Sequence, residues 1–204
     1  MDPGVRRDDE GREPHTAPPH ACPCAALRQK GRMPVFTPIP HDAVVAAILT
    51  LRDAIAAGDW RPDTIVGIGR GGLVPAVYLS HAIDAPMRSI DLSARDSDAV
   101  TQAGLAALAA RSRAGERLLF LDDINDSGRT IAFVRAALAA ADGDAANVRF
   151  ATLVDNSRSA ERVEFAARTI DRDVVKDWFV FPWEAVASSE AIAADAAEVP
   201  DRIA

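Results

Sequence analysis

The chain has 204 residues, of which 49% are hydrophobic and 26% are charged, a composition typical of one globular domain with a sizeable core. Its formal net charge of −7 argues against the basic surface that nucleic-acid binding requires. No apolar run approaches the roughly 20 residues that span a bilayer. We therefore expect neither a nucleic acid nor a membrane among its partners.

The N-terminal stretch differs from the rest of the chain. Residues 1–32 are rich in proline, glycine and charge and lack periodicity, so we predict a disordered extension. Cys22 and Cys24 both lie in it, which leaves the globular part without a disulfide and fits a reducing cytoplasm. Met33 then opens the sequence MPVFTPIP like a natural start, so we expect the upstream residues to be dispensable.

From residue 42 onward, hydrophobic periodicity predicts alternating helices and strands. Helices are expected from Asp42, as N-cap, to near Gly58, over 71–83 with Pro75 in the first turn, after a loop within 95–110, and over 128–141. Strands are expected over 63–69, 87–92, 117–123 and 148–154, followed by the apolar segments 162–170 and 177–184. This alternation predicts an α/β fold with a mostly parallel central sheet flanked by helices.

The domain predicted from this pattern covers residues 33–185. Residues 186–204 form an alanine-rich, acidic C-terminal tail. Its composition fits either a helix that docks on the domain or a frayed end.

Two loops each join the end of a predicted strand to the start of a helix. Their sequences are GIGRGG, residues 67–72, and DDINDSGRT, residues 122–130. In open parallel sheets, ligands bind beyond the carboxyl ends of the strands. We therefore expect both loops to lie at one binding edge.

The first loop alone has two interpretations. Gly67, Gly69 and Gly72 match the G-x-G-x-x-G dinucleotide fingerprint, and Asp91 follows about 20 residues later. A tight strand-to-helix turn without any ligand produces the same glycines. Neither interpretation explains Arg70 or the second loop.

The second loop has the features of a phosphate site. Gly128 begins a predicted helix, whose first N–H groups carry the positive end of the helix dipole. Ser127 and Thr130 add hydroxyl donors, and Arg129 adds positive charge.

Three carboxylates stand at the start of the same loop. Carboxylates accept hydrogen bonds from a vicinal diol and favour positive charge on a nearby carbon. We therefore expect Asp122 and Asp123 to hold a sugar ring, and Asp126 to lie near the group that attacks its anomeric carbon. The alternative is a capped helix start followed by a solvated turn.

Three motifs together resemble a known family. The sequence LLFLDDINDSGRT resembles the phosphoribosyl pyrophosphate (PRPP) signature of type I phosphoribosyltransferases, with Ser127 where threonine is usual. GIGRGGLVPA looks like the pyrophosphate-binding loop of that family. KDWFVFPWE looks like the base-binding segment of its bacterial xanthine-guanine and hypoxanthine members. The resemblance covers about residues 37–184 and implies the family's fold, with a small base-binding hood.

The resemblance implies attack of a base nitrogen on C1′ of PRPP, with loss of pyrophosphate. It assigns the ribose hydroxyls to Asp122 and Asp123, directly or through Mg²⁺, the role of general base to Asp126, and the 5′-phosphate to residues 127–130. Pyrophosphate is assigned to Arg70, Gly71 and Gly72. Arg95, in the flexible catalytic loop 91–98, either reaches pyrophosphate as well or is a solvated loop residue.

The base-binding residues implied by the resemblance follow the last predicted strands. Trp178 stacks on the purine or, alternatively, belongs to the core, while Phe179 and Glu184 border the base. Family members use a lysine after the fourth strand to contact the 6-oxo group, and Asn156 stands near that place here. Another base is therefore an open alternative.

The function expected from the sequence is purine salvage with hypoxanthine, guanine or xanthine as the base. A phosphoribosyltransferase for another base, such as a pyrimidine, and a non-catalytic regulator that binds PRPP or a nucleotide are the alternatives. We expect a cytoplasmic homodimer or homotetramer that uses Mg²⁺.

Overall fold

The computed structural model describes residues 35–92 and 99–197. Its strands are β1 (Phe36–Pro38), β2 (Thr64–Ile68), β3 (Met87–Ile90), β4 (Leu118–Asn125), β5 (Val148–Asn156), β6 (Phe165–Ile170) and β7 (Trp178–Val180). Its α-helices are α1 (His41–Ala57), α2 (Leu73–Ile83), α3 (Ala99–Arg113), α4 (Arg129–Ala140) and α5 (Ser189–Ala197). Short 3₁₀ helices occupy Ala145–Asn147 and Pro182–Glu184.

Five strands form one parallel sheet in the order β3-β2-β4-β5-β6. Its central strands are apolar on both faces, as parallel strands covered by helices on both sides must be. In β4, Leu119 and Leu121 pack in the core layer that contains α1 and α2, whereas Leu118 and Phe120 pack in the layer that contains α3 and α4. The predicted α/β fold with flanking helices is confirmed.

The element bounds differ from the sequence prediction at several points, of which three concern α1, α3 and β4. Helix α1 begins at His41, so Asp42 lies in its first turn instead of capping it, and Pro40 is the N-cap. Helix α3 begins at Ala99, so the helix expected after a loop within 95–110 starts early in that range, in keeping with its alanine content. Strand β4 continues to Asn125, because its pairing with β5 extends to Asp155.

A second, two-stranded parallel sheet joins β1 to β7. The Thr37 hydroxyl donates to the Asp177 carboxylate at 2.6 Å beside this pair. After the turn Pro182–Glu184, helix α5 follows with Ala196 only 1% exposed, so part of the alanine-rich tail packs against the protein. None of the helices in the described ranges is long and apolar enough to cross a bilayer.

Gly72 allows the loop after β2 to pass directly over β4. A Cβ atom at this position would lie 2.0 Å from the Leu121 carbonyl oxygen and 2.8 Å from the Ile68 nitrogen. Real Cβ atoms do not approach backbone so closely, and neither strand can move without disturbing the sheet. The glycine is therefore required by packing alone.

We predict that Gly72→Ala lowers the free energy of unfolding by about 2–3 kcal/mol, because the added methyl group overpacks the sheet edge. Gly104→Ala is the matched control, because its Cβ meets nothing within 4 Å inside helix α3. That change should raise stability by about 0.5–1 kcal/mol through helix propensity. Urea unfolding measures both, and equal effects of the two substitutions would contradict the packing described for Gly72.

Candidate active site

A cleft of about 480 Å³ opens at the carboxyl ends of β2 and β4. The structure brings residues of both predicted loops to its walls. They are Gly69, Arg70 and Gly71 from the first loop, and Asp122, Asp123 and Thr130 from the second. Trp183, Glu184 and residues of the C-terminal segment, including Ile192 and Asp195 of α5, complete the lining.

The first loop packs directly against a carboxylate of the second. A Cβ atom on Gly71 would lie 2.4 Å from Oδ2 of Asp123. Only glycine allows the backbone to pass so close to that side chain. The loop around Arg70 and the acidic end of β4 therefore form one continuous surface.

The two adjacent carboxylates are costly to ionise in this position. Burial is the main cause that raises the pKa of Asp122, and the charge of Asp123 adds to it. Burial, followed by the charge of Glu184, raises the pKa of Asp123 from an ordinary 3.8 to about 7. Within the described part of the chain, no ion pair joins Asp122, Asp123 or Glu184 to a cationic side chain.

The start of helix α4 lies beside these carboxylates. Gly128 is its N-cap at φ 88°, and a Cβ there would lie 2.7 Å from the Glu161 nitrogen. Ser127, Arg129 and Thr130 are exposed, and Thr130 reaches the cleft lining. The helix start thus presents N–H groups and hydroxyls at the surface, as an anion site requires.

A smaller cavity of about 140 Å³ adjoins the cleft. Three of its seven lining residues are aromatic, namely Trp178, Phe179 and Phe181, and we call it the aromatic cavity. Asp123 and Glu184 line both the cleft and this cavity. The two spaces are therefore adjacent at these two carboxylates.

Asp126 forms an ion pair with Arg172, whose Nε donates to Oδ1 at 3.0 Å, but Asp126 itself is not among the residues that line the cleft or the cavity. The Arg172 side chain also lines the cavity and stacks over the Phe179 ring, with its Cζ atom 5.0 Å from the ring centre. The second loop is therefore joined through this charged contact to residues 177–184, which we call the aromatic segment.

A family model of the phosphoribosyl transferase domain matches residues 41–189. The chain belongs to the phosphoribosyl transferase domain family. The sequence prediction of this family, and with it of a pentosyltransferase, is confirmed.

Named relatives share this fold. The chain is 30% identical over 133 residues to xanthine-guanine phosphoribosyltransferase of Cereibacter sphaeroides, covering 62% of this chain and 71% of that protein. The purine phosphoribosyltransferase of Pyrococcus horikoshii superposes with a TM-score of 0.55 at 23% identity, over 75% of this chain and 97% of that one. Xanthine-guanine-hypoxanthine phosphoribosyltransferase of Helicobacter pylori gives 0.55 at 17% identity, over 74% and 94%.

Asn156, a predicted base-binding residue, bonds to backbone groups in this structure. It is 5% exposed, and its Nδ2 donates to the Asp126 carbonyl oxygen at 2.9 Å. Its Oδ1 accepts from the backbone nitrogens of Arg158 at 3.0 Å and Arg172 at 3.2 Å. The amide thus holds backbone on both sides and is not among the residues that line the aromatic cavity.

Two further predicted base-binding residues, Phe179 and Trp178, line the small cavity. Phe179 lines the cavity but is 6% exposed and packs in the core, whereas Trp178 is half-buried at the cavity wall. Arg95 lies outside the described residues. The predicted roles of all these residues stay predictions.

Sequence reasoning missed two residues that support the site. Asn125 is 2% exposed, and its Nδ2 donates to the Asp155 carboxylate and the Glu161 carbonyl oxygen, both at 2.8 Å. Its Oδ1 accepts from the Ser159 hydroxyl at 2.9 Å. These hydrogen bonds hold the second loop against the end of β5 and the residues that follow it. The other missed residue is Arg172, and the only signal for it was a lone arginine between two apolar segments.

Mg²⁺ fits the acidic end of β4. Asp122 and Asp123 are hard oxygen donors whose charges have no cationic partner among the described residues, and burial makes their ionised forms costly. The described residues contain no group of three or more metal-ligating side chains. Two carboxylates suit Mg²⁺, which keeps several waters and takes its other ligands from substrate oxygens.

We predict that Asp123→Asn stabilises the metal-free protein at pH 8 more than at pH 5. Because the folded-state pKa of Asp123 exceeds its usual value, stability from its protonated form is lost as pH rises from about 4 to 7. Each pKa unit corresponds to about 1.4 kcal/mol, so the gain in melting temperature at pH 8 should exceed that at pH 5 by several degrees.

Thermal unfolding in EDTA at both pH values measures this difference. Asp59→Asn, which alters an exposed carboxylate outside the cleft, is the control and should shift the melting temperature equally at the two pH values. If Asp123→Asn also behaves identically at pH 5 and pH 8, the carboxylate is not costly to ionise.

Proposed function

We propose that this phosphoribosyltransferase transfers the 5-phosphoribosyl group from PRPP to a 6-oxopurine base, giving a nucleoside monophosphate and pyrophosphate. The observation that carries the proposal is the junction of the two spaces at Asp123 and Glu184. One space has the chemistry of a sugar phosphate site and the other that of an aromatic base site. C1′ of PRPP would lie where they meet.

In the proposed reaction, the C1′–nitrogen bond forms as the bond from C1′ to pyrophosphate oxygen breaks, and the base nitrogen loses its proton. The transition state carries positive charge on the ribose ring, which nearby carboxylates stabilise. Asp122 and Asp123 would hold the ribose hydroxyls and any bound Mg²⁺. When bound, Mg²⁺ would neutralise charge that develops on the leaving pyrophosphate.

The phosphate groups of PRPP would be bound at two places. Ser127, Gly128, Arg129 and Thr130 would bind the 5′-phosphate through N–H groups and hydroxyls at the start of α4. Arg70, with the backbone N–H groups of Gly71 and Gly72, would bind pyrophosphate across the cleft. The proposed positions match the chemistry of the ligand. The ribose hydroxyls would face carboxylates, and the phosphate groups would face hydrogen-bond donors.

The base would occupy the aromatic cavity. Trp178 would stack on the ring, and Phe179 and Glu184 would border its edge. Asp126, held by Arg172, is the proposed general base for the proton of the attacking purine. The similarity to the xanthine-guanine phosphoribosyltransferase of Cereibacter sphaeroides supports a 6-oxopurine. A cytoplasmic homodimer or homotetramer belongs to the same proposal.

The test of the proposed reaction is an assay of pyrophosphate release. The purified protein would be incubated with PRPP, Mg²⁺ and each of hypoxanthine, guanine, xanthine, adenine and uracil. We expect release with at least one 6-oxopurine and much slower release with adenine and uracil. Pyrophosphate release with only uracil or adenine would contradict the proposal. So would the absence of release with every one of the five bases.

We predict that Asp122→Asn combined with Asp123→Asn lowers kcat/KM by at least about 100-fold, because the ribose ring loses its stabilising charge. Circular dichroism should show that the fold survives. Asp59→Asn is the control and should leave the rate unchanged. Near-normal turnover in the double variant would mean that the carboxylates were assigned wrongly.

A further inference from the structure

Arg172 has hydrogen-bond donors that the protein does not use. It lies between β6 and β7, and its side chain is 9% exposed. Nε donates to Asp126 Oδ1 at 3.0 Å, and Nη1 donates to the carbonyl oxygens of Val175 at 3.2 Å and Asp177 at 2.7 Å. Nη2 is buried and has no hydrogen-bond partner among the described residues. Of the five N–H donors of a guanidinium, the two on Nη2 are left over.

A buried charged donor without an acceptor is unfavourable, so a structure that retains one invites a ligand acceptor. Burial, offset in part by Asp177, lowers the pKa of Arg172 to about 10, so the group remains a cation at neutral pH. Its plane is held over the Phe179 ring and by three hydrogen bonds. The donor is thus charged and fixed in orientation.

Arg172 lines the same small cavity as Trp178 and Phe179, which is the space proposed for the base. Purines differ at the edge that carries position 6. A 6-oxopurine presents two adjacent acceptors there, O6 and N7, whereas adenine presents the N6 amino donor beside N7. A guanidinium N–H pairs with O6 and is opposed by an amino group.

On the basis of the proposed function, we propose that Arg172 determines base specificity by donating from Nη2 to O6 of a 6-oxopurine. The chain lacks the lysine that family members use at this atom, and Asn156 has its amide bonded to backbone groups. Asp126 accepts from Nε of Arg172, which leaves Nη2 as the donor for the base. Arg172, which follows β6, therefore makes the contact to O6 that a lysine after the fourth strand makes in family members.

The experiment compares two nucleotides that differ at position 6. Inosine 5′-monophosphate carries O6, and purine riboside 5′-monophosphate does not. Isothermal calorimetry with Mg²⁺ measures both affinities for the wild-type protein and for Arg172→Met. Arg168→Met is the matched control, because the exposed Arg168 also lies over the Phe179 ring, at 5.5 Å, but does not line the cavity.

We expect the wild type and Arg168→Met to bind inosine monophosphate about 10- to 100-fold more tightly than purine riboside monophosphate, the range typical of a hydrogen bond to a charged group. Arg172→Met should bind the two equally. A purely structural role would weaken both nucleotides by the same factor and keep their ratio, so a preserved ratio in Arg172→Met overturns the inference.

The affinities of the wild-type protein for the two nucleotides also test the inference. Equal binding of the two nucleotides by the wild type overturns the role of Arg172 and leaves the proposed reaction standing, whereas absence of binding to either overturns both. If Arg172→Met does not fold, Arg172→Lys replaces it. Lysine keeps the charge but cannot serve Asp126, the two carbonyl oxygens and the base together, so we expect its preference to fall at least fivefold, and an unchanged preference counts against the inference.

Discussion

The structure depends on the placement of two ionisable carboxylates at the end of an otherwise apolar strand. Leu118 to Leu121 of β4 are fully buried, and the strand then continues into Asp122 and Asp123 without leaving the sheet. Burial opposes the charge of both side chains. The result is a pair of fixed, poorly hydrated carboxylates in the cleft wall, which the proposed binding of a sugar and a hard cation would use. Gly71 of the facing loop follows from the same constraint, since a Cβ atom there would lie 2.4 Å from Oδ2 of Asp123.

A second constraint joins the aromatic segment to the sheet. The pair β1-β7 carries Trp178 and Phe179 but does not hydrogen-bond to the five-stranded sheet. Arg172 bridges this gap, because it contacts Asp126 on one side and the Asp177 carbonyl oxygen and the Phe179 ring on the other. The cavity lined by Trp178 and Phe179 is therefore joined to the second loop through Arg172. Asn156 reinforces it by holding the backbone at both Asp126 and Arg172.

The parts of the site that the sequence predicts are those made of consecutive residues. Asp122, Asp123 and the start of α4 follow one strand directly, and the rule for the carboxyl ends of parallel strands places Arg70 opposite them. The α/β fold follows from apolar periodicity for the same local reason. The bounds of α1, α3 and β4 were less accurate, because pairing and packing extend an element beyond its propensity.

Contacts between distant residues were not predictable in this way. The partner of Asp126 lies 46 positions away and belongs to no motif. Asn156 stands near the place of a family lysine, yet its side chain turns toward backbone groups, and the direction of a side chain at a strand end is not encoded in its spacing. Asn125 likewise reads as a spacer between acids, although Asp155 and Ser159 make it the centre of a buried network.

Helix α5 has a practical consequence for anyone who handles this protein. Ile192 and Asp195 form part of the outer wall of the cleft, and Ala196 fixes the helix by burying its methyl group. A purification tag or fusion partner joined close to that helix would therefore stand near the wall of the cleft. Differences in rate between differently tagged preparations would then reflect the tag as well as the enzyme.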